Sequence, residues 1–266
     1  MKEQILKALP DNHPWRDSIL WFDTIDSTNT QAKALAAAGA PHGTVLIADS
    51  QTGGRGRMGR QFHSPAGTGI YLSVILRPEC TPDKLMHLTC ACAVFARQAI
   101  LEETDLDCGI KWINDLVIDK RKVGGILTEL SLHASGAVQY AILGIGINCC
   151  QKAGDFPEDI APIATSLSME SGRTVCRSHL AAQLILRFEE MSRQLLSRQD
   201  SIMDEYRSRC ITLGQPISIQ RFNTIRYAFA KDVAQDGALI AEFPDGHTEA
   251  VNAAEVSVRG MYGYAT

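Results

Sequence analysis

The strongest constraint on the fold lies in residues 109–150. Three apolar, β-prone runs (109–118, 123–132 and 138–150) follow one another with only DKRK and HASG between them. A parallel crossover needs about a dozen residues, so these runs are expected to form antiparallel neighbours in one sheet. Upstream, ILWFDTI at 19–25 reads as a first strand, and residues 43–50 and 69–77 as two more. Asp26-Ser27-Thr28-Asn29 offers an N-cap to the alanine-rich run that follows, which Gly39 stops. Thr81-Pro82-Asp83 starts a helix running to about Glu103, with Leu85, Leu88, Cys92, Phe95 and Ala99 at helical spacing. A long helix is expected from Ser178 to Arg209, with Leu184, Phe188 and Leu195 on one side.

The texture changes at residues 210–213. From 214 to 260 the chain carries short strands, with Asp236-Gly237 and Asp245-Gly246 as hairpin turns, which suggests a small β-barrel. The expected organisation is a mixed α/β (α+β) unit at 1–212 and a small β-barrel unit at 213–266. Net charge is −4, so a nucleic-acid partner would depend on a local basic patch, and only the loop around Arg55–Arg60 supplies one. None of the eight cysteines forms a C-x-x-C pair, and the seven histidines show no ligand spacing, so no dedicated metal site is expected. The first residues lack the apolar segment of a secretory leader, and no apolar run reaches the ~18 residues of a membrane span. The expectation is a reduced, cytoplasmic protein with no membrane partner.

Residues 49–60, DSQTGGRGRMGR, hold four glycines and three arginines, with no acid after Asp49. Glycine allows close backbone approach, and arginine brings a planar fork of donors suited to phosphate or carboxylate. Gly54 to Gly59 matches G-x-G-x-x-G, but Pro65, Gly67 and Gly69 exclude the helix that a dinucleotide fingerprint needs. A solvated basic loop is the competing reading. Lys111-Trp112-Ile113-Asn114-Asp115 interrupts an apolar run. As one strand it would put Lys111, Ile113 and Asp115 on one face, where lysine and aspartate either pair structurally or line a cleft. The glycines at 124–125 and at 144 and 146 mark either β-bulges or close approach of a ligand.

Taken in order, DSTN, QTGGRGRMGR, SPAGTGIYLS, KWINDL, KVGGILTEL, GIGINC and AEVSVRG resemble the biotin protein ligases over most of residues 20–260. The resemblance implies a mixed-sheet catalytic domain like that of class II aminoacyl-tRNA synthetases, followed by a small SH3-like β-barrel. It implies activation of biotin by ATP and Mg²⁺ to biotinyl-5′-AMP, then transfer to a lysine of the biotin carboxyl carrier domain of a carboxylase. It places Ser27, Thr28 and Asn29 around the ureido ring, Gln51 beside the ligand, and Arg55, Gly56 and Arg57 in a closing loop, with Arg60 reaching phosphate. Lys111 is then expected on the biotin carboxylate and α-phosphate, Gly124 and Gly125 against biotin, and Asn114 and Asn148 near the nucleotide or its Mg²⁺. Lys111 and Arg57 stabilise the charge that develops, and either Asp115 or the released AMP orients or deprotonates the acceptor lysine. Two positions depart from the family pattern: Ile113 stands where proline is usual, and Phe62 where tryptophan is frequent. About 18 residues precede the first strand, too few for a helix-turn-helix, so no DNA binding is expected. Lipoate ligation, a non-catalytic biotin sensor and an RNA-binding protein are the alternatives, and homodimerisation is left open.

Overall fold

The computed structural model describes residues 1–221, 224–252 and 257–260. Its larger sheet has seven strands: β1 (Ile19–Ile25), β2 (Thr44–Gln51), β3 (Gly69–Leu76), β4 (Gly109–Lys111), β5 (Asp115–Ile118), β6 (Arg121–Leu132) and β7 (Val138–Asn148). Their order is β1-β2-β3-β7-β6-β5-β4. Only β1 and β2 pair in parallel, and between them the chain crosses over through helix α2 (Thr28–Ala37). Every other neighbour is antiparallel, and from β4 to β7 the short connections demand it.

Alternation along the strands gives the sheet two unlike faces. Val45 and Ile47 of β2, with Ile70, Leu72, Val74 and Leu76 of β3, point into the main core with α3 (Leu88–Thr104) and α5 (Arg177–Gln194). Leu46, Ile75 and Ile142 face the other way and meet Ala32 and Ala36 of α2. Helix α2 is short, so it covers only part of that face, and the uncovered part is the cavity described below.

The remaining helices are α1 (Lys2–Ala8), α4 (Leu167–Ser171) and α6 (Gln199–Arg209). Helix α1 has no counterpart in the sequence expectations; its fully buried Ile5 belongs to the core, and the helix packs on α5. The long helix expected from Ser178 to Arg209 is instead two helices. At the break, the Leu195 carbonyl is bound by the ring of His87 (Nε2 to O, 3.0 Å) rather than by a further helical turn. Helix α3 starts later than expected, at Leu88, after a separate 3₁₀ turn at Pro82–Leu85. The stretch Pro82–Thr104 is long and apolar enough to cross a membrane, but 72% of its apolar window is buried inside the protein, which makes it a core helix.

The run 109–118 also differs from expectation: it is a hairpin, not one strand. Lys111 pairs directly with Asp115, and Trp112, Ile113 and Asn114 form the turn, with a cis peptide bond between Trp112 and Ile113. The turn has no Gly or Pro, and tertiary bonds hold it. Trp112 N donates to Thr212 Oγ1 (2.9 Å), Trp112 Nε1 to Gly237 O (2.9 Å), and Asn114 Nδ2 to Ile126 O (3.0 Å).

The second sheet comprises β8 (Pro216–Arg221), β9 (Thr224–Val233), β10 (Leu239–Glu242), β11 (Thr248–Val251) and β12 (Ser257–Gly260), in the order β11-β10-β9-β8-β12 and wholly antiparallel. It has the architecture of a small SH3-like barrel. Gly237 and Gly246 take positive φ at the two expected hairpin turns. Its inner residues Ile217, Ile219, Ala230 and Leu239 join the main core. Of the motif AEVSVRG, residues 254–256 lie outside the described residues, as do residues 261–266 of the expected barrel unit.

Candidate active site

A cavity of about 610 Å³ opens on the α2 face of the larger sheet, a size that suits a small organic ligand. Ser27, Thr28, Asn29, Gln51, Arg55, Gly56, Arg57, Arg60, Lys111, Asn114, Asp115, Gly125 and Asn148 all line it. Gly124 does not. Neighbouring strand residues face opposite ways, and a Cβ on Gly124 would meet the Gly146 carbonyl and Leu116 Cδ1 instead.

One end of the cavity is built from neutral groups. Ser27 caps α2, its Oγ accepting from Thr30 N (3.4 Å), so the cluster that reads as a helix cap is one and also lines the site. Gln51 Oε1 accepts from Thr28 N (2.9 Å) and Thr28 Oγ1 (3.2 Å), while its Nε2 donates to Ser64 Oγ (2.9 Å). Asn29 Nδ2 donates to Leu127 O (3.2 Å) and Glu129 Oε2 (3.1 Å), and Ser73 Oγ lies 2.7 Å from Asn29 Oδ1 and 2.8 Å from Thr28 Oγ1. Glycine is required on the floor. A Cβ on Gly144 would come within 1.9 Å of Asn29 Oδ1, and one on Gly146 within 2.4 Å of the Phe62 ring.

The other end is ionic. Lys111 is 8% exposed and lines the cavity from the end of β4. Asp115 Oδ1 pairs with Lys122 Nζ at 2.7 Å and accepts from Asn114 Nδ2 at 3.1 Å. Asn114 Oδ1 in turn accepts from Arg57 Nη1 (2.9 Å). Burial pulls the Arg57 guanidinium below its ordinary pKa, and the neighbouring charge of Asp115 opposes that shift. Asn148 is fixed behind this end, donating through Nδ2 to Thr165 O (3.0 Å) and accepting from Gln151 Nε2 (3.4 Å).

The Gly/Arg loop is folded over the cavity, with Gly54 buried, Gly56 and Arg57 half-buried, and Arg55, Met58 and Arg60 exposed. Gly56 N donates to Arg60 O (2.7 Å), Phe62 N to Gly54 O (2.9 Å), and a 3₁₀ turn spans Arg57–Gly59. Arg57 ties the loop to Asn114 at the ionic end, and Arg55 ties it to Glu129 at the neutral end (3.3 Å). Phe62 stands on the cavity wall, edge-on to Tyr71 and below the Lys122 ammonium at 5.9 Å.

The sequence reading missed several of these groups. Lys122 stands in DKRK, which reads as a polar turn, yet it belongs to β6 and faces Asp115. Ser73 had a usable signal, being a lone hydroxyl inside the apolar run GIYLSVILR. Phe156, Ile160 and Ile163 form an apolar flank in a segment without periodicity. Among the described residues, no group of three or more His, Cys, Asp or Glu is placed to hold a metal ion.

Known proteins place this architecture. Residues 21–148 match the model of the Biotin/lipoate A/B protein ligase family, and residues 212–259 that of the Biotin protein ligase C terminal domain. The chain is 36% identical over 229 residues to the bifunctional ligase/repressor BirA of Bacillus subtilis, spanning 86% of this chain and 70% of that protein. It is 31% identical over 262 residues to the biotin–[acetyl-CoA-carboxylase] ligase of Mycobacterium tuberculosis, spanning 96% and 93%. Among solved structures, the biotin protein ligase from Aquifex aeolicus in complex with biotin and ATP matches with a TM-score of 0.77 and 27% identity, over 91% of this chain and 98% of that one. With a ligase-type sheet, a matching second domain and the arginine loop closed over one cavity, the chain belongs to the biotin/lipoate A/B protein ligase family and, within it, to the biotin protein ligases.

Proposed function

We propose that this protein joins biotin to ATP to give biotinyl-5′-AMP and pyrophosphate, and passes the biotinyl group to a lysine of a biotin carboxyl carrier domain. One observation carries the reading: Lys111 and the loop arginines line the same cavity as the neutral cluster of Ser27, Thr28, Asn29 and Gln51. The neutral end suits a ureido ring, which both donates and accepts hydrogen bonds. A dithiolane does neither well and would gain no hydrogen bonds from this end, so lipoate is the poorer fit.

In the first half-reaction a carboxylate oxygen of biotin attacks the α-phosphorus and pyrophosphate leaves. Negative charge builds on the equatorial oxygens. Lys111 and Arg57, fixed before the reaction, stabilise that charge more than they stabilise the ground state. Mg²⁺ bound with ATP would neutralise phosphate charge. The Asn148 amide and the Asp115 carboxylate are hard oxygen donors that fit an ion held mainly by the phosphates. In the second half-reaction the neutral carrier lysine attacks the acyl carbon and AMP leaves. Asp115 is engaged by Lys122 and Asn114, so its carboxylate is already committed to partners within the site. We therefore assign Asp115 the role of counter-ion that aligns the ionic end, and assign proton acceptance to the AMP phosphate.

The closed loop excludes water from the mixed anhydride and retains it until the carrier arrives. All eight cysteines are free thiols, which fits the reducing cytoplasm. The test is pyrophosphate release on mixing with biotin and MgATP, with and without an apo-carrier domain, alongside a lipoate control. Acyl-adenylate from lipoate at equal or greater rate, or biotin binding without pyrophosphate, would overturn the proposal.

A further inference from the structure

Three segments converge on one carboxylate that the reaction does not use. Glu129, on β6, accepts from Asn29 Nδ2 (3.1 Å) and Lys33 Nζ (3.1 Å), both on α2, and pairs with Arg55 Nη1 of the loop (3.3 Å). The Glu129 side chain is 19% exposed, whereas Lys33 and Arg55 are 43% and 44% exposed. Glu129 is not on the cavity wall, but two of its partners, Asn29 and Arg55, are.

We propose that Glu129 is a positioning residue that latches the arginine loop at the neutral end and, through the same carboxylate, sets the amide of Asn29. The proposal rests on the cavity being a biotin and ATP site. Asn29 Nδ2 has two hydrogens, and both are engaged, by Leu127 O and Glu129 Oε2. Its Oδ1 lies against Ser73 Oγ and keeps a second lone pair. The amide thus offers the cavity an acceptor, which suits a ligand N–H. Without a carboxylate at 129 the amide is free to flip, and Arg55 loses its partner on the sheet. Loop closure and acyl recognition therefore share one group.

Lys33 makes the latch reversible. It stays beside Glu129 when Arg55 leaves, so the carboxylate remains ionised and available when the loop returns. The loop has a second tether, Arg57 to Asn114, at the ionic end. Losing one tether loosens the lid without removing it. Partly exposed ion pairs have modest strength, so each latch variant should change loop behaviour by about two- to fivefold.

The experiment is a double-mutant cycle on Glu129→Gln and Arg55→Gln with two readouts. One is the rate at which enzyme preloaded with biotin and MgATP loses biotinyl-adenylate. The other is tryptic cleavage after Arg57 and Arg60 without ligand. Each single variant should speed both, and the double variant should be no faster than the worse single. Glu129→Gln should also raise the biotin KM, whereas Arg55→Gln should raise it less, because only the first disturbs Asn29. Multiplying effects, or a Glu129→Gln protein that changes only in Tm, would overturn the latch. If Glu129→Gln does not fold, Arg55→Gln decides alone, since unchanged retention and unchanged nicking in that exposed arm contradict the proposal. A wild-type protein that forms no adenylate refutes the function, while the ligand-free proteolysis still judges the latch.

Discussion

The two ends of the cavity hold a ligand by different physical means. At the neutral end, Thr28, Asn29, Gln51, Ser64 and Ser73 satisfy one another through short bonds on a floor of glycine. At the ionic end, Lys111, Arg57 and Lys122 stand around Asp115 and Asn114. Neutral hydrogen bonds depend steeply on geometry and select a shape, whereas fixed charges act over longer range and favour a transition state whose charge grows. Damage at the neutral end should therefore appear in the biotin KM. Damage at the ionic end should appear in the rate of the chemical step.

The largest effect tests the ionic end. On the proposed role of Lys111 at the reacting phosphate, Lys111→Ala should slow pyrophosphate release by about 10²- to 10³-fold, with biotin binding by calorimetry changed far less. Activity within tenfold of wild type would remove Lys111 from the chemistry and dissolve the contrast.

Next in size is a change at the neutral end. Gly144→Ala places a methyl 1.9 Å from Asn29 Oδ1, a clash relieved only by moving the amide. Overpacking of this kind costs about 1–3 kcal/mol, so the biotin KM should rise roughly 10- to 100-fold while the ATP KM holds steady. A parallel rise in both constants would mean that the two ends do not act separately.

The ionic end was partly legible in the sequence and the neutral end more fully. Local chemistry read Ser27, Thr28 and Asn29 only as a helix cap, and it was the family resemblance that placed them beside the ligand. The sequence reading left Lys111 and Asp115 either ion-paired or lining a cleft. Both line the cavity, facing each other across a hairpin rather than along one strand, and Asp115 pairs with Lys122. The turn carries no Gly or Pro because bonds from Thr212, Gly237 and Ile126, distant in the chain, fix it. Lys122 was hidden for a similar reason: three adjacent charges look like a solvated turn until Asp115 faces one of them. Antiparallel pairing within 109–150 followed from connection length alone, while the break between α5 and α6 involves His87, about 100 residues away in sequence, and could not be seen locally.

A smaller effect separates retention from catalysis. Arg57→Gly removes the bond to Asn114 and one side of the lid. A charge-assisted bond of about 1.5–3 kcal/mol is lost, so biotinyl-adenylate should escape at least tenfold faster. Mass spectrometry should then find biotin on bystander lysines of an added unrelated protein. Labelling as carrier-selective as in the parent would show that the loop does not retain the intermediate.

The smallest expected effect tests whether Glu129 links the loop to the neutral end. Burial by itself would raise its carboxyl pKa. Hydrogen bonds from Asn29 and Lys33, with the charge of Arg55, outweigh burial and hold it below the ordinary value of 4.5. A carboxylate depressed in the folded state stabilises the fold fully above its unfolded value and loses that contribution as pH falls through the folded one. Wild type should therefore melt about 2 °C above Glu129→Gln from pH 7 down to about 5. The gap should shrink below 4.5 and close at lower pH, where the carboxyl is protonated in both states. A gap that widens on acidification would mean that burial dominates at Glu129, and that the carboxylate is a buried liability instead of a link between the loop and the acyl end.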